Sequence, residues 1–376
     1  MKTKYDLPPE VLIKTILGTT TLKVGESDEK TKKVYQSILH FASNQKKVPN
    51  KYIQNKLLTP LKHRSDNYDY FFVPKSTGRG IRLIANPKSE LREIQSYIKD
   101  NILEQLPISE IAMAYIPKEK KPDGWTWQKA VFETAGNRDY FGEADIKSFF
   151  DHMTATHVYN LFKTYTRYST GTCRKLTNYC TNMGTVPQGS ITGPTISNLI
   201  MYQTDLKLQK MLNKQGWTIG RYSDNFMFGY NKKKNDKNFK TSKKQEAFLN
   251  YPLNTIRRLL LKRGFQLHEE KCWVAANSEG HPVMNLSISQ KLNIPAKTYN
   301  ELRNATYNFV VKKRVPIQYK GNVKGYYISL KSKLSYWTKI APKVKKTADI
   351  LLTINPQKIK NEDYTYVYNN YNSQNK

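Results

Sequence analysis

Apolar positions along the chain follow two periods. Helical spacing governs the first 60 residues, where Val34, Ile38 and Phe41 recur about one turn apart and Pro49 and Pro60 punctuate the stretch. Residues 70–86 (YFFVPKSTGRGIRLIAN) change to two β-type runs around a Ser-Thr-Gly-Arg-Gly turn, which predicts a hairpin. Pro87 closes the second run, and Leu91, Ile94, Ile98 and Leu103 restore the helical period. A short strand is predicted over 140–146, then a helix that Thr154 caps and that buries Val158, Leu161, Phe162 and Tyr165. Ile196, Leu199 and Ile200 mark one face of a further helix. WTIGRYSDNFMFGY alternates on both sides of a Ser-Asp-Asn centre and predicts a second hairpin. A helix through Ile256 to Leu261, strand candidates in GFQLHEEKCWV and VMNLSIS, and a basic helical stretch over 297–345 complete the pattern. Residues 231–244 (NKKKNDKNFKTSKK) have no period and read as a solvated loop. Residues 362–376 carry too little apolar content to pack and read as a frayed tail. No repeat recurs at a fixed period.

Composition narrows the class. Of 376 residues 38% are hydrophobic and 12% aromatic, enough to fill a core, which excludes wholesale disorder. The 62 Lys and Arg against 30 Asp and Glu leave a net charge of +32. A surplus of that size repels itself in a compact fold unless a polyanion sits against it, and nucleic acid leads a membrane surface as the candidate. No apolar run approaches a membrane span, and MKTKYDLPPEVLIK lacks the apolar core of a signal peptide. Cys173, Cys180 and Cys272 are odd in number and lack CxxC spacing, which argues against a disulfide framework and a zinc knuckle. The expectation is a cytoplasmic protein with no membrane partner that holds phosphate backbones.

Two acidic residues at strand-to-turn positions carry the chemistry: Asp145 in EADIKSFFD and Asp224 in RYSDNFMF. Brought together, two such carboxylates repel unless a divalent cation lies between them. Oxygen donors of this kind suit Mg²⁺ or Mn²⁺, which also hold substrate phosphate oxygens. A two-metal clamp activates a 3′-hydroxyl and stabilises departing pyrophosphate. Either Asp alone is equally a strand end or turn cap, since turns favour Asp.

An ordered series of segments then resembles the bacterial reverse transcriptases, of retron and group II intron type, over about residues 70–345. The hairpin at 70–86 with its following helix resembles their fingers, EADIKSFFD their first palm carboxylate motif and VPQGSITGPTISNLI their Pro-Gln-Gly motif. YSDN stands in the place of Tyr-x-Asp-Asp, and GFQLHEEKC resembles the next palm motif. NLSISQKLNIP resembles the primer grip, and YKGNVKGYYISL the thumb. The resemblance implies an α+β right-hand polymerase fold: fingers, a palm with an antiparallel sheet, and a helical thumb. The boundaries it suggests are an N-terminal helical extension at 1–60, fingers at 61–135, palm at 136–290, thumb at 291–361 and a flexible tail at 362–376.

It also implies site residues. Asp145, Ile146 and Asp224 form the metal set, with Asn225 beside them in the catalytic motif. Lys75 and Arg82 flank the fingers turn, each able to reach a triphosphate from its own strand; Arg79 lies in the turn. Phe150 stands where a bulky gate excludes the ribose 2′-hydroxyl, which argues for deoxynucleotides. Gln188 faces the incoming sugar and template base, Gly189 allows close backbone approach, and Lys271 is a candidate proton donor to pyrophosphate. The lysines of 231–244 and the basic thumb (Lys297, Arg303, Lys312, Lys313, Arg314, Lys320, Lys324) are candidates to line the template–primer groove. Tyr307, Tyr326, Tyr327 and Trp337 are candidates for stacking or packing.

Three departures mark the chain. Asn225 replaces the second Asp of Tyr-x-Asp-Asp and contributes no charge. Val-Thr-Gly is absent at VMNLSIS, as is Asn-Ala-x-x-His, and AMAYIPKEKKPDGWTWQKAV departs from the Gly-Arg-Ser fingers pattern. They imply a divergent, phage-defence-associated or abortive-infection-type lineage. The expected activity is RNA-directed DNA polymerisation on a cognate non-coding RNA, with RNA–DNA hybrid and dNTPs as ligands and a companion defence protein or a second copy as candidate partners. The alternatives are untemplated or protein-primed DNA synthesis, for which Tyr364, Tyr366, Tyr368 and Tyr371 offer hydroxyls, a silent RNA-binding polymerase fold, and an RNA-dependent RNA polymerase.

Overall fold

The computed structural model describes residues 67–74, 81–123 and 125–367. The expected N-terminal extension, Lys75, Arg79, Tyr368 and Tyr371 lie outside them. Two compact units divide the chain. The first takes residues up to Trp127, Glu143–Phe228 and Lys233–Trp273; the second takes Gln128–Gly142, Gly229–Lys232 and the chain from Val274.

In the first unit, β1 (Tyr68–Pro74) and β2 (Ile81–Pro87) pair antiparallel from Tyr68↔Pro87 to Pro74↔Ile81, the predicted hairpin. Helix α1 (Ser89–Asn101) buries Leu91, Ile94 and Ile98, the stripe its periodicity marks. Glu90 in its first turn and Lys99 in its last complement the helix dipole. The second unit contributes α2 (Trp127–Ala135), most of which belongs to it.

A four-stranded sheet is built from β3 (Tyr140–Asp145), β4 (Thr218–Tyr222), β5 (Asn225–Tyr230) and β6 (Trp273–Ala276) in the order β4-β5-β3-β6. Between β3 and β4 come α3 (Phe149–His152), α4 (Ala155–Tyr165), α5 (Thr170–Cys180) and α6 (Gly193–Lys214). Thr154 caps α4 as expected, accepting from the His157 amide at 3.4 Å while the Thr154 amide donates to His157 Nδ1 at 3.2 Å. Val158, Leu161 and Phe162 are buried, whereas Tyr165 is half-buried and meets Gln203 through its hydroxyl at 3.3 Å. Helix α6 buries Ile196, Leu199, Ile200, Leu208 and Leu212, and with them Asn198 and Asp205.

Two strand expectations change. GFQLHEEKCWV is a strand only at β6; Leu267 makes a single bridge to Ile146, and Glu269–Lys271 is a 3-10 turn. VMNLSIS folds back on itself instead of extending: Met284 and Asn285 have φ of 47° and 61°, and Val283 and Leu286 exchange both backbone hydrogen bonds. Two positive φ values in a row make a primed two-residue turn, which interrupts any strand.

The lysine-rich stretch is more ordered than a loop. A 3-10 turn at Lys237–Phe239 leads into α7 (Ser242–Leu249), followed by α8 (Tyr251–Leu261). The cause is aromatic: Phe239 packs edge-on against Phe248, and Phe248 lies against Trp217, with ring centroids 5.9 and 5.5 Å apart.

The second unit holds α9 (Ala296–Val310), α10 (Val323–Thr338) and α11 (Lys345–Leu352), with β7 (Arg314–Pro316) paired in parallel to β8 (Thr365–Val367). The tail expected to fray from 362 is therefore packed through Val367. Tyr364 is buried and stacks on Phe309 at 4.9 Å, and the Tyr366 hydroxyl bonds to the Gly321 amide and the Asn361 carbonyl. Apolar content was a poor guide there because aromatic rings and backbone pairing hold the segment. Tyr327 and Trp337 are core residues, Tyr326 packs between Phe309 and Tyr319, and Tyr307 alone of the four stacking candidates is exposed, under Lys312.

Candidate active site

The site is assembled at one end of the sheet, within the first unit. β4 and β5 are joined by two residues, Ser223 and Asp224, and Ser223 has φ 58°, the left-handed first position of a primed hairpin turn. The chain leaving β3 runs between this turn and the 266–268 segment. Ile146 donates to the Asp224 carbonyl at 2.9 Å, Lys147 to the Gln266 carbonyl at 2.8 Å, and His268 to the Asp145 carbonyl at 2.8 Å. These bonds bring together Asp145, Ile146 and Asp224, the three residues expected to form the metal set.

The electrostatics follow from the closeness. Burial pushes the Asp224 carboxyl above the usual carboxylate range, and the neighbouring Asp145 charge pushes the same way; hydrogen bonds to Ser223 and the backbone, and the Lys271 ammonium, oppose it. Asp145 is 8% exposed, and Lys271 Nζ donates to its Oδ2 at 3.2 Å. The lysine considered as a proton donor thus also serves as counter-ion to the carboxylate pair. Among the described residues no three or more His, Cys, Asp or Glu side chains gather as a metal cluster. Two neighbouring carboxylates are nonetheless hard donors of the kind Mg²⁺ takes, with water and phosphate filling its remaining positions. The residues fit that ion: their unfavourable crowding is what a divalent cation relieves.

The residues expected to face a nucleotide are placed unevenly. Gln188 and Gly189 lie against β2, where the Ala85 amide donates to the Gln188 carbonyl at 2.8 Å. Gly189 has φ 106°, and a Cβ there would sit 2.9 Å from the Ala85 carbonyl oxygen, so the close approach that glycine allows is to β2. Phe150 is half-buried, edge-on to Phe149, which packs against Phe265, and its ring lies beside Gly193 at the start of α6. Arg82 is exposed on β2 opposite Val73. Asn225 is half-buried as the first residue of β5. The lysines of 233–244 stand elsewhere: β5 runs six residues away from Asp224 before they begin.

Sequence reasoning missed the support beneath the turn. Arg221 is wholly buried on β4 and grips Asp205 of α6 with two bonds, 2.9 and 2.7 Å. The same guanidinium donates to the Ser223 carbonyl at 2.8 Å and to Asn198 Oδ1 at 3.2 Å. Asn198 in turn donates to the Ala114 carbonyl at 2.8 Å, and Ile111 and Met113 pair with the Arg221 backbone. Tyr115, exposed and at φ 57°, donates its hydroxyl to Ser223 Oγ at 3.3 Å. The turn carrying Asp224 is therefore braced from below by Arg221 and met from above by Tyr115. The available signal was Asp205, the one acidic residue in α6 and in phase with Leu208 and Leu212.

A carboxylate pair on adjoining strand ends, with a hairpin turn presenting one member, defines a palm-type polymerase. The chain belongs to the reverse transcriptase (RNA-dependent DNA polymerase) family, whose model matches residues 73–316. It is 25% identical over 268 residues to the retron Mx162 reverse transcriptase of Myxococcus xanthus, covering 64% of this chain and 52% of that protein. It is 22% identical to the retron Ec86 reverse transcriptase of Escherichia coli, covering 70% of this chain and 76% of that one. The chain thus spans about half the length of the first relative and three quarters of the second. A structure of telomerase from Candida albicans with a fragment of telomeric RNA overlaps 78% of this chain and 61% of its own, at 10% identity and a TM-score of 0.40. Membership of that family, over residues 73–316, makes the fold one of the right-hand polymerase class. No helix among the described residues is long and apolar enough to cross a membrane.

Proposed function

We propose that the chain is an RNA-directed DNA polymerase that copies a cognate non-coding RNA by two-metal nucleotidyl transfer and acts in anti-phage defence. The observation that carries the catalytic part is the adjacency of Asp145 and Asp224 across the Ile146–Asp224 hydrogen bond, with Lys271 as their counter-ion. The fingers, palm and thumb boundaries given above are part of the proposal, and the lineage alone motivates the defence role.

In this reading Asp145, Asp224 and the Ile146 carbonyl hold Mg²⁺, with Mn²⁺ as substitute. The chemistry the bound ions supply is activation of the primer 3′-hydroxyl and neutralisation of charge on pyrophosphate. Lys271 Nζ leaves Asp145 as that carboxylate's charge is met, and donates a proton to the departing pyrophosphate. Phe150 limits room at the sugar 2′-position, Gln188 orients sugar and template base, and Lys75 and Arg82 hold the triphosphate. Asn225 accepts through its amide oxygen without adding charge beside Asp224. Of the phenols considered for protein priming, Tyr364 is buried and Tyr366 is engaged in two hydrogen bonds, so neither offers a free hydroxyl, while Tyr368 and Tyr371 lie outside the described residues.

The test is extension of a primed RNA template with dNTPs and Mg²⁺ or Mn²⁺, with nucleic acid co-purifying with the protein sequenced to name the template. Product from wild type and none from Asp145→Ala is expected. Equal product from both removes the catalytic assignment. Normal phage defence by an Asp145→Ala/Asp224→Ala double variant supports the silent RNA-binding reading instead.

A further inference from the structure

Six lysines, Lys233, Lys234, Lys237, Lys240, Lys243 and Lys244, crowd into twelve residues and are all exposed. Among the described residues none of their ammonium groups lies within ion-pair distance of a carboxylate. Their backbone is fixed. Asp236 accepts from the Asn238 amide at 3.0 Å, Thr241 caps α7 by accepting from the Lys244 amide at 3.3 Å, and Phe239, in the middle of the segment, packs on Phe248, which lies against Trp217. Lys243 and Lys244 occupy the first turn of α7, where the helix dipole disfavours cations, and the six repel one another.

Position separates the cluster from the carboxylates. Trp217, its anchor, precedes β4, so it lies at the opposite end of that strand from the Ser223–Asp224 turn. β5 spans about 20 Å at the usual rise per residue between Asp224 and the start of the lysine segment.

The character of the surface selects its occupant. Between Leu206 and Leu261 no large hydrophobic side chain is exposed, so the segment has nothing to insert into a lipid interface. Its one aromatic side chain, Phe239, is half-buried against Phe248 and offers no platform for stacking single-stranded bases. What remains is ammonium groups interleaved with the amides of Asn235 and Asn238 and the hydroxyls of Thr241 and Ser242, groups that contact phosphates and sugars but read no sequence. We infer that this segment is a docking surface for the phosphate backbone of a double-helical RNA stem, separate from the polymerase groove. The inference deepens the reading above and rests on it only for the choice of RNA as polyanion.

The test compares wild type with a variant carrying Lys→Gln at all six positions, and a second carrying Lys→Arg at all six, which keeps the charge. Binding is measured to a 20-base-pair RNA hairpin across a salt series, and to phosphatidylglycerol vesicles, alongside extension of a short primed RNA template. The Gln variant is expected to bind the hairpin about tenfold more weakly at physiological salt with a flatter salt dependence. It is expected to extend the short template within about twofold of wild type, and the Arg variant to match wild type in both. Unchanged hairpin affinity and salt slope in the Gln variant overturns the inference, as does preferential loss of vesicle binding. Parallel loss of short-template extension also overturns it, because the lysines then belong to the polymerase groove. Hairpin binding is read without synthesis, so a wild-type protein that extends no primer sinks the polymerase reading and leaves this comparison intact.

Discussion

Two carboxylate–cation pairs lie close to the Ser223–Asp224 turn, and they are built for opposite tasks. Asp205 and Arg221 have 0% exposed side chains and meet through two short bonds, and two further donors of Arg221 go to the Ser223 carbonyl and Asn198 Oδ1. Asp145 and Lys271 meet through a single 3.2 Å contact, with 11% of the acid side chain exposed and 48% of the lysine. The planar fork of an arginine suits a permanent buried contact, whereas lysine's flexible point charge is readily exchanged. The first pair holds the turn in place; the second neutralises a carboxylate that, in the proposed function, must be free for another cation. Rigidity below and exchange above is the division of labour that proposal asks of the turn.

The largest effect separates the pairs by chemistry. Asp145→Ala is expected to remove primer extension by about a thousandfold or more, because half the carboxylate pair is lost, while the melting temperature changes by only a few degrees. A primer-extension assay paired with a thermal melt reads both. An Asp145→Ala protein that melts far below wild type would make that acid a structural partner, like Asp205.

Next comes the buried pair. Arg221→Met strips Asp205, whose carboxyl burial already raises, of its partner in the core and is expected to cost about 3–5 kcal/mol in chemical denaturation. The double variant Arg221→Met/Asp205→Leu removes the stranded acid and is expected to recover most of that loss. Extension should stay depressed in the double variant, since nothing then holds the Ser223 carbonyl ahead of Asp224. Full recovery of activity along with stability would show that the brace serves folding alone.

The comparison also explains what a reader of the sequence meets and misses. Both hairpins were legible because alternation breaks at Ser-Thr-Gly-Arg-Gly and at Ser-Asp-Asn, and turn chemistry leaves few other choices. Asp145 and Asp224 were each legible as a strand end, but they lie 79 positions apart, and only the order of motifs pointed to their meeting. Arg221 was hidden because a strand arginine ordinarily extends its head group to solvent, and its partner sits on α6, 16 residues earlier. Lys271 was legible as a basic residue near the palm, yet its contact with Asp145 depends on the 3-10 turn at Glu269–Lys271, which replaces an expected strand. The packed segment through Val367 was illegible by composition, since Tyr364 owes its burial to Phe309 in α9.

A smaller effect tests the site's internal strain. Burial and the Asp145 charge raise the Asp224 carboxyl, so without metal the folded protein holds that proton more tightly than the unfolded chain. Stability of the metal-free protein is therefore expected to fall as pH rises from the ordinary carboxylate range through the raised value, and to level off above it. Asp224→Asn cannot ionise: it is expected to lose that pH slope, to melt a few degrees higher than wild type at neutral pH without metal, and to lose extension. Mg²⁺ is expected to raise the wild-type melting temperature at pH 7 and not that of the variant. A metal-free variant that melts below wild type at neutral pH would mean that Asp224 is not strained by its neighbours.

The smallest effect belongs to the exchangeable pair. Lys271→Gln removes one half-exposed contact, and its loss of stability is expected to stay within about 1 kcal/mol, far below that of Arg221→Met. Activity discriminates more finely. A lysine serving only as counter-ion becomes dispensable once divalent cations occupy the carboxylates, so the variant's deficit should close at saturating Mg²⁺. A lysine that also donates a proton to pyrophosphate leaves a deficit of about a hundredfold in turnover that no Mg²⁺ concentration repairs. Extension rates across a Mg²⁺ titration separate the two, and the persistent deficit is the outcome expected from a side chain that releases Asp145 to serve the leaving group.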